Sequence, residues 1–190
     1  MSQKIPSFGI GSAPTTSLLP TLNYGLFSQI SDSAAITGTD EESLIGSGVG
    51  SLSVPANNFK VGDSFHLKMG GLISSANNID LVFNIKSNGI VLATSGLMNM
   101  PQTTNKVWEI EADFVIRSLG SETNASIQTI GSYIFNKDAS SAFEGIDFFD
   151  LNNTTFNTEI INTLNITAQW QSSDPQNSIS TSVLVLSKTY

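Results

Sequence analysis

The sequence predicts an all-β protein, an antiparallel jelly-roll β-sandwich with an extended N-terminal arm, and three observations carry that expectation. The run Val107–Arg117, VWEIEADFVIR, alternates Trp108, Ile110, Ala112, Phe114 and Ile116 with Glu109, Glu111 and Asp113. Successive strand side chains point to opposite faces, so this is a strand with one apolar and one acidic face. Turn-forming residues recur at short intervals from Tyr24 onward, the spacing of a sandwich rather than of βαβ units. No stretch carries a convincing helical period.

Residues 1–22 hold Pro6, Pro14 and Pro20 among Gly and Ser and follow neither period. They are expected to form an arm, docking or disordered, ahead of a sandwich domain over residues 23–190. As a docking peptide its apolar anchors are Ile5, Phe8, Ile10, Leu18 and Leu19. Tyr24–Ser33 and Ser43–Val54 read as the first strands, with Gly46, Gly48 and Gly50 marking a bulge or a close backbone approach. Pro55–Asp63 is a turn-rich link. Ser64–Ser74 places Phe65, Leu67 and Met69 inward and His66 and Lys68 outward, and Ile79–Lys86 aligns Ile79, Leu81, Phe83 and Ile85. Asn88-Gly89 between two alternating runs is the strongest short hairpin signal, because both residues tolerate positive φ.

Ile90–Thr94 is the returning strand, and a loop around Pro101, Met98–Asn105, leads to the acidic strand. Ala125–Asn136 follows as a strand, Lys137–Asp150 is poorly patterned, and Asn152–Glu159 reads as strand again. Leu164–Gln171 and Ile179–Lys188 close the chain, with Asp174-Pro175 as the turn between them. Eight to ten strands suit a double sheet with Greek-key connections, and an immunoglobulin-like sandwich, usually about 100 residues, is the alternative.

Charged residues are 13% of the 190, about half the share in ordinary globular domains, and Ser, Thr, Asn and Gln take their place. A neutral, hydrogen-bonding exterior suits faces that pack on copies of the same chain or on other proteins. Sixteen acidic against eight basic residues give a net charge of −8, with no cluster of Lys and Arg to neutralise phosphate, so neither nucleic acid nor an anionic membrane is an expected partner. The absence of Cys excludes disulfides, thiol nucleophiles and Cys-based zinc sites. The N-terminal stretch lacks the apolar core of a secretory signal, and no apolar run of 18 residues occurs, so a soluble protein made without a classical export signal is expected.

Glu109, Glu111 and Asp113 stand about 6.5–7 Å apart at two-residue spacing, within reach of a shared Ca²⁺ or of carboxylate-pair glycoside hydrolysis. A wet or interfacial strand face is the expected role, and no catalytic, metal-ligating or cofactor-binding residue is assigned. His66 is the only histidine, and no G-x-S-x-G elbow accompanies it, so a surface position is expected. Trp108 and Trp170 fall on apolar faces and are expected in the core. Asp147 and Asp150 flank Phe148-Phe149, and a loop carrying Phe143, Phe148 and Phe149 is the candidate for stacking on a ligand such as a sugar.

Five segments, GVGSLSVPANNFKVGDSF at Gly48–Phe65, IKSNGIVLATSG at Ile85–Gly96, WEIEADFVIRSLG at Trp108–Gly120, LNITAQW at Leu164–Trp170 and the terminal LSKTY, together resemble a family of β-sandwich virion proteins of tailed phages and large DNA viruses. The resemblance spans roughly residues 48–190 and transfers no functional residue. It implies a capsid-associated decoration, fibre or minor capsid protein, not an enzyme, with no cofactor. It further implies self-association as a homotrimer, contact with other capsid or tail proteins, and a place in the virion after assembly in the host cell cytoplasm. A carbohydrate-binding module that attaches to host surface glycan is the alternative.

Overall fold

The acidic strand is the spine of the larger of two sheets. The computed structural model describes residues 24–138 and 143–190. Its strands are β1 (Tyr24–Gln29), β2 (Glu42–Ser43), β3 (Gly48–Gly50), β4 (Ser53–Val54), β5 (Ser64–Ser75), β6 (Ile79–Ser87), β7 (Ile90–Thr94), β8 (Met98–Met100), β9 (Thr103–Ser118), β10 (Ser126–Asn136), β11 (Phe143–Asn152), β12 (Asn162–Trp170) and β13 (Ser178–Lys188). One short 3₁₀ turn, Glu122–Asn124, is the only helical element among the described residues.

The larger sheet has the order β11-β10-β9-β5-β13-β1-β3, and the smaller has β2-β12-β6-β7 with β4 on β12 and β8 on β6. Every strand pair is antiparallel. The all-β sandwich expected from the sequence is the fold of the chain. Within the larger sheet β5, β9, β10 and β11 lie side by side in chain order, and β13 returns through β12 of the other sheet to pair with β5.

The alternating runs became strands with the faces they predict. Phe65, Leu67 and Met69 of β5, Trp108, Ile110, Ala112, Phe114 and Ile116 of β9, and Leu81, Phe83 and Ile85 of β6 are all buried between the sheets. Phe83 of the smaller sheet meets Tyr133 and Trp108 of the larger one, with ring centroids 4.6 and 5.7 Å apart, so one aromatic cluster joins the layers. Trp170 is fully buried on β12 and its Nε1–H donates to the Ile36 carbonyl at 3.0 Å. The Asn88-Gly89 hairpin forms as predicted, with φ of 49° and 81°. Gly46, Gly48 and Gly50 stand where the backbone runs tightly against Ser31, Phe27 and Leu26, the close approach expected of them.

Four expectations need correction. Lys137–Asp150 is not structureless in its second half, because β11 starts at Phe143 and pairs with β10 over its whole length. Asn152–Glu159 is mostly loop, held by the Asn152 Oδ1, which accepts from the Thr155 and Phe156 N–H groups at 3.2 and 2.9 Å. That turn delivers Phe156 into the core. The expected first strands are shorter and split: β1 ends at Gln29, and the second run yields β2, β3 and β4. The expected loop Met98–Asn105 contains β8 and the first residues of β9.

Candidate functional site: the outer face of the larger sheet

Strand register lays the outward residues of the larger sheet in rows. One row runs Phe149, Ile130, Asp113, His66 and Ser187, and the next runs Asp147, Ser132, Glu111, Lys68, Val185 and Ser28. The acidic residues of β9 thus face the basic residues of β5 directly across the ladder. Lys68 Nζ donates to Glu111 Oε1 at 2.5 Å and reaches Glu109 Oε2 at 3.1 Å, while His66 Nδ1 lies 3.0 Å from Asp113 Oδ1. The Lys68 hydrogen bond holds the Glu111 carboxyl below its ordinary range, and Glu111, then Glu109, hold the Lys68 ammonium above its own. Glu109 and Glu111 share the single Lys68 ammonium and Asp113 is partnered by the His66 ring, so an acidic excess stays on this face, and among the described residues no group of three His, Cys, Asp or Glu side chains is arranged to hold a metal ion.

Around this centre the same face carries large exposed apolar side chains. Leu72, Val107, Val115, Ile130, Leu151, Val183 and Val185 are all at least 38% exposed. Phe143 and Phe149, at 66% and 69%, extend the apolar surface along β11. A wide hollow of about 460 Å³ lies beside Phe149, lined by Ile130, Gly131, Ser132, Asp147, Phe148 and Phe149.

The three phenylalanines expected on one loop lie on strand β11, and alternation separates them. Phe143 and Phe149 face out, whereas Phe148 turns inward and packs against the core. Gly131, opposite Phe148 in the ladder, leaves room for that ring, since a Cβ there would sit 2.6 Å from it. The arm anchors Ile5, Phe8, Ile10, Leu18 and Leu19 lie outside the described residues. His66 is at the surface, and both tryptophans are in the core, as expected.

Two further features escaped the sequence. Glu41, just before β2, receives hydrogen bonds from Lys86 Nζ, Thr167 Oγ1 and Asn84 Nδ2, the shortest at 2.5 Å, and Lys86 above all lowers its pKa to about 2. The partners are 43 to 126 residues away in sequence, so no local pattern announces them. The second is a largely apolar cleft of about 110 Å³ where the sheets part, lined by Leu52, Phe59, Leu92, Ile127, Phe156 and Leu164 among others, with Ser87 and Asn162 hydrogen-bonded to each other at 2.8 Å in its wall.

No family model matches the chain, and neither curated proteins nor solved structures give a match. The outer face has therefore to be read from its own chemistry.

Proposed function

We propose that the chain is a structural protein of a virion, a jelly-roll head that self-associates, as a trimer, and docks on capsid or tail proteins through residues 1–22. The observation that carries self-association is the outer sheet face: acids held by Lys68 and His66, with exposed Leu, Val, Ile and Phe side chains around them. Large apolar side chains gathered on one exposed face of a folded domain mark an interface, and the Lys68 pairs lower the cost of removing that centre from water relative to free charges. The segments that resemble virion proteins supply the setting.

The test has two parts. Light scattering on the purified chain of 20.2 kDa is expected to give three chains, or a multiple of three where trimers join further, and a clean monomer overturns self-association. A chain lacking residues 1–22 is expected to fold and self-associate but to stay off particles, so its incorporation into particles overturns the anchor.

A second reading, attachment to host glycan, is favoured by Phe149, an exposed ring beside a hollow that also offers Asp147 and Ser132 as hydrogen-bonding groups. Sugars stack on such rings. Binding on a glycan array that Phe149→Ala removes supports this reading, and absence of binding across a broad array rejects it.

A further inference from the structure

The edges of a sheet carry unpaired N–H and C=O groups, and proteins shield them with short strands, with charges, or with cover from other elements. Three edges here are shielded. β3 and β2 are three and two residues long. β7 is longer, but side chains of β11 cap it: Asn152 Nδ2 donates to the Val91 carbonyl at 3.0 Å and Asp150 Oδ2 accepts from the Thr94 N–H at 3.2 Å. The fourth edge is β11 itself. It is ten residues long, contains neither Lys nor Pro, and no strand among the described residues pairs with its outer side.

The charges of β11 do not guard this edge. Glu144 pairs with Lys137, and Asp150 is engaged with β7. Asp147 alone of the three acids is outward, on the face where Phe143 and Phe149 are most exposed.

We propose that two copies of the chain join β11 to β11, antiparallel about a two-fold axis, with Ile146 opposite Ile146. In that register each Phe143 lies opposite a Phe149, and each Asp147 lies opposite a Gly145, so aromatic side chains pair and the two acids avoid each other. Centring on Asp147 would set like charges directly opposite, which is destabilising, and centring on Phe148 would set Phe143 opposite residue 153, beyond the end of β11. The pairing extends the seven-stranded sheet of one copy into that of the other and gives the free edge groups partners. It deepens the self-association reading and rests on it, adding a two-fold contact at the edge to the threefold contact on the sheet face. Two trimers joined in this way make six chains.

The absence of Cys makes the register directly testable in the full chain. Residues opposed in an antiparallel ladder have Cα atoms about 4.5–5.5 Å apart, within the range a disulfide bridges. Ile146→Cys is therefore expected to form a disulfide-linked pair of chains under mild oxidation, at least tenfold faster than Phe149→Cys, whose copy lies six residues along, about 20 Å away. Light scattering alongside is expected to show six chains, two trimers joined edge to edge. Association with equal or reversed cross-linking rates overturns the register while self-association stands, as does a mass of three chains. A monomer at all concentrations overturns both. Should Ile146→Cys fail to fold, Phe149→Lys at the exposed edge is expected to weaken association at least tenfold, and unchanged association overturns the edge contact.

Discussion

Replacing Glu41 by Gln tests how the segment before β2 is fixed to the smaller sheet. In the fold the carboxylate takes three hydrogen bonds, and its pKa falls from the ordinary 4.5 to about 2. At about 1.36 kcal/mol per pH unit that difference corresponds to roughly 3.4 kcal/mol. Glu41 keeps 30% of its side-chain surface in water, and solvent screening cuts the worth of such pairs, so the expected loss at pH 7 is about 1–2 kcal/mol. The sign follows from proton binding. Between about pH 4.5 and 2 the unfolded chain holds a proton at Glu41 that the folded chain does not, so this stabilisation is complete above 4.5 and is lost as pH falls toward 2. Glu111 and Asp138, also lowered, weaken both proteins in acid, so the informative quantity is the difference between wild type and Glu41→Gln. Urea unfolding at pH 7, 5, 4 and 3 measures it. The gap should narrow as pH falls, and a gap that stays constant with pH refutes the charged-state account.

Three other substitutions probe the core. Trp170→Phe removes the bond to the Ile36 carbonyl and leaves a void, and about 2–3 kcal/mol of destabilisation is expected in urea unfolding. Gly131→Ala pushes a methyl to within 2.6 Å of the Phe148 ring and 2.5 Å of the Glu111 carbonyl, at a cost of about 1–3 kcal/mol; Phe148→Leu in the same chain should recover part of the loss. Tyr133 is fully buried with burial raising its pKa, and its hydroxyl has no partner among the described residues. Tyr133→Phe should therefore range from neutral to about 1 kcal/mol more stable, and a loss above 1 kcal/mol would show that the hydroxyl is bonded.

The strands visible in the sequence are those whose inward side is mostly apolar. In β9 and β6 burial alone selects the alternation, so period two appears unbroken. β11 has the same period of burial but puts Glu144, Asp150 and Asn152 on its inward side, where Lys137 and the β7 edge satisfy them. Its alternation is one of exposure and not of polarity, which hides it. The opposite error occurred at Asn152–Glu159, where Thr and Phe suggested a strand and the Asn152 side chain instead satisfied local N–H groups and closed a turn. Residues 109, 111 and 113 were recognisable as one face from spacing alone. Their partners required the register of β5 on β9, a long-range fact.

The pairing of the first and last described strands has a mechanical consequence. Tyr24 at the start of β1 lies opposite Lys188 at the end of β13. A force that draws residues 24 and 188 apart acts across that ladder at one end and opens it bond by bond, like a zipper, rather than loading all its hydrogen bonds together in shear. A head tethered at both of these points should peel from β1 at low tension while β5, β9 and β10 hold, giving under load without losing its core.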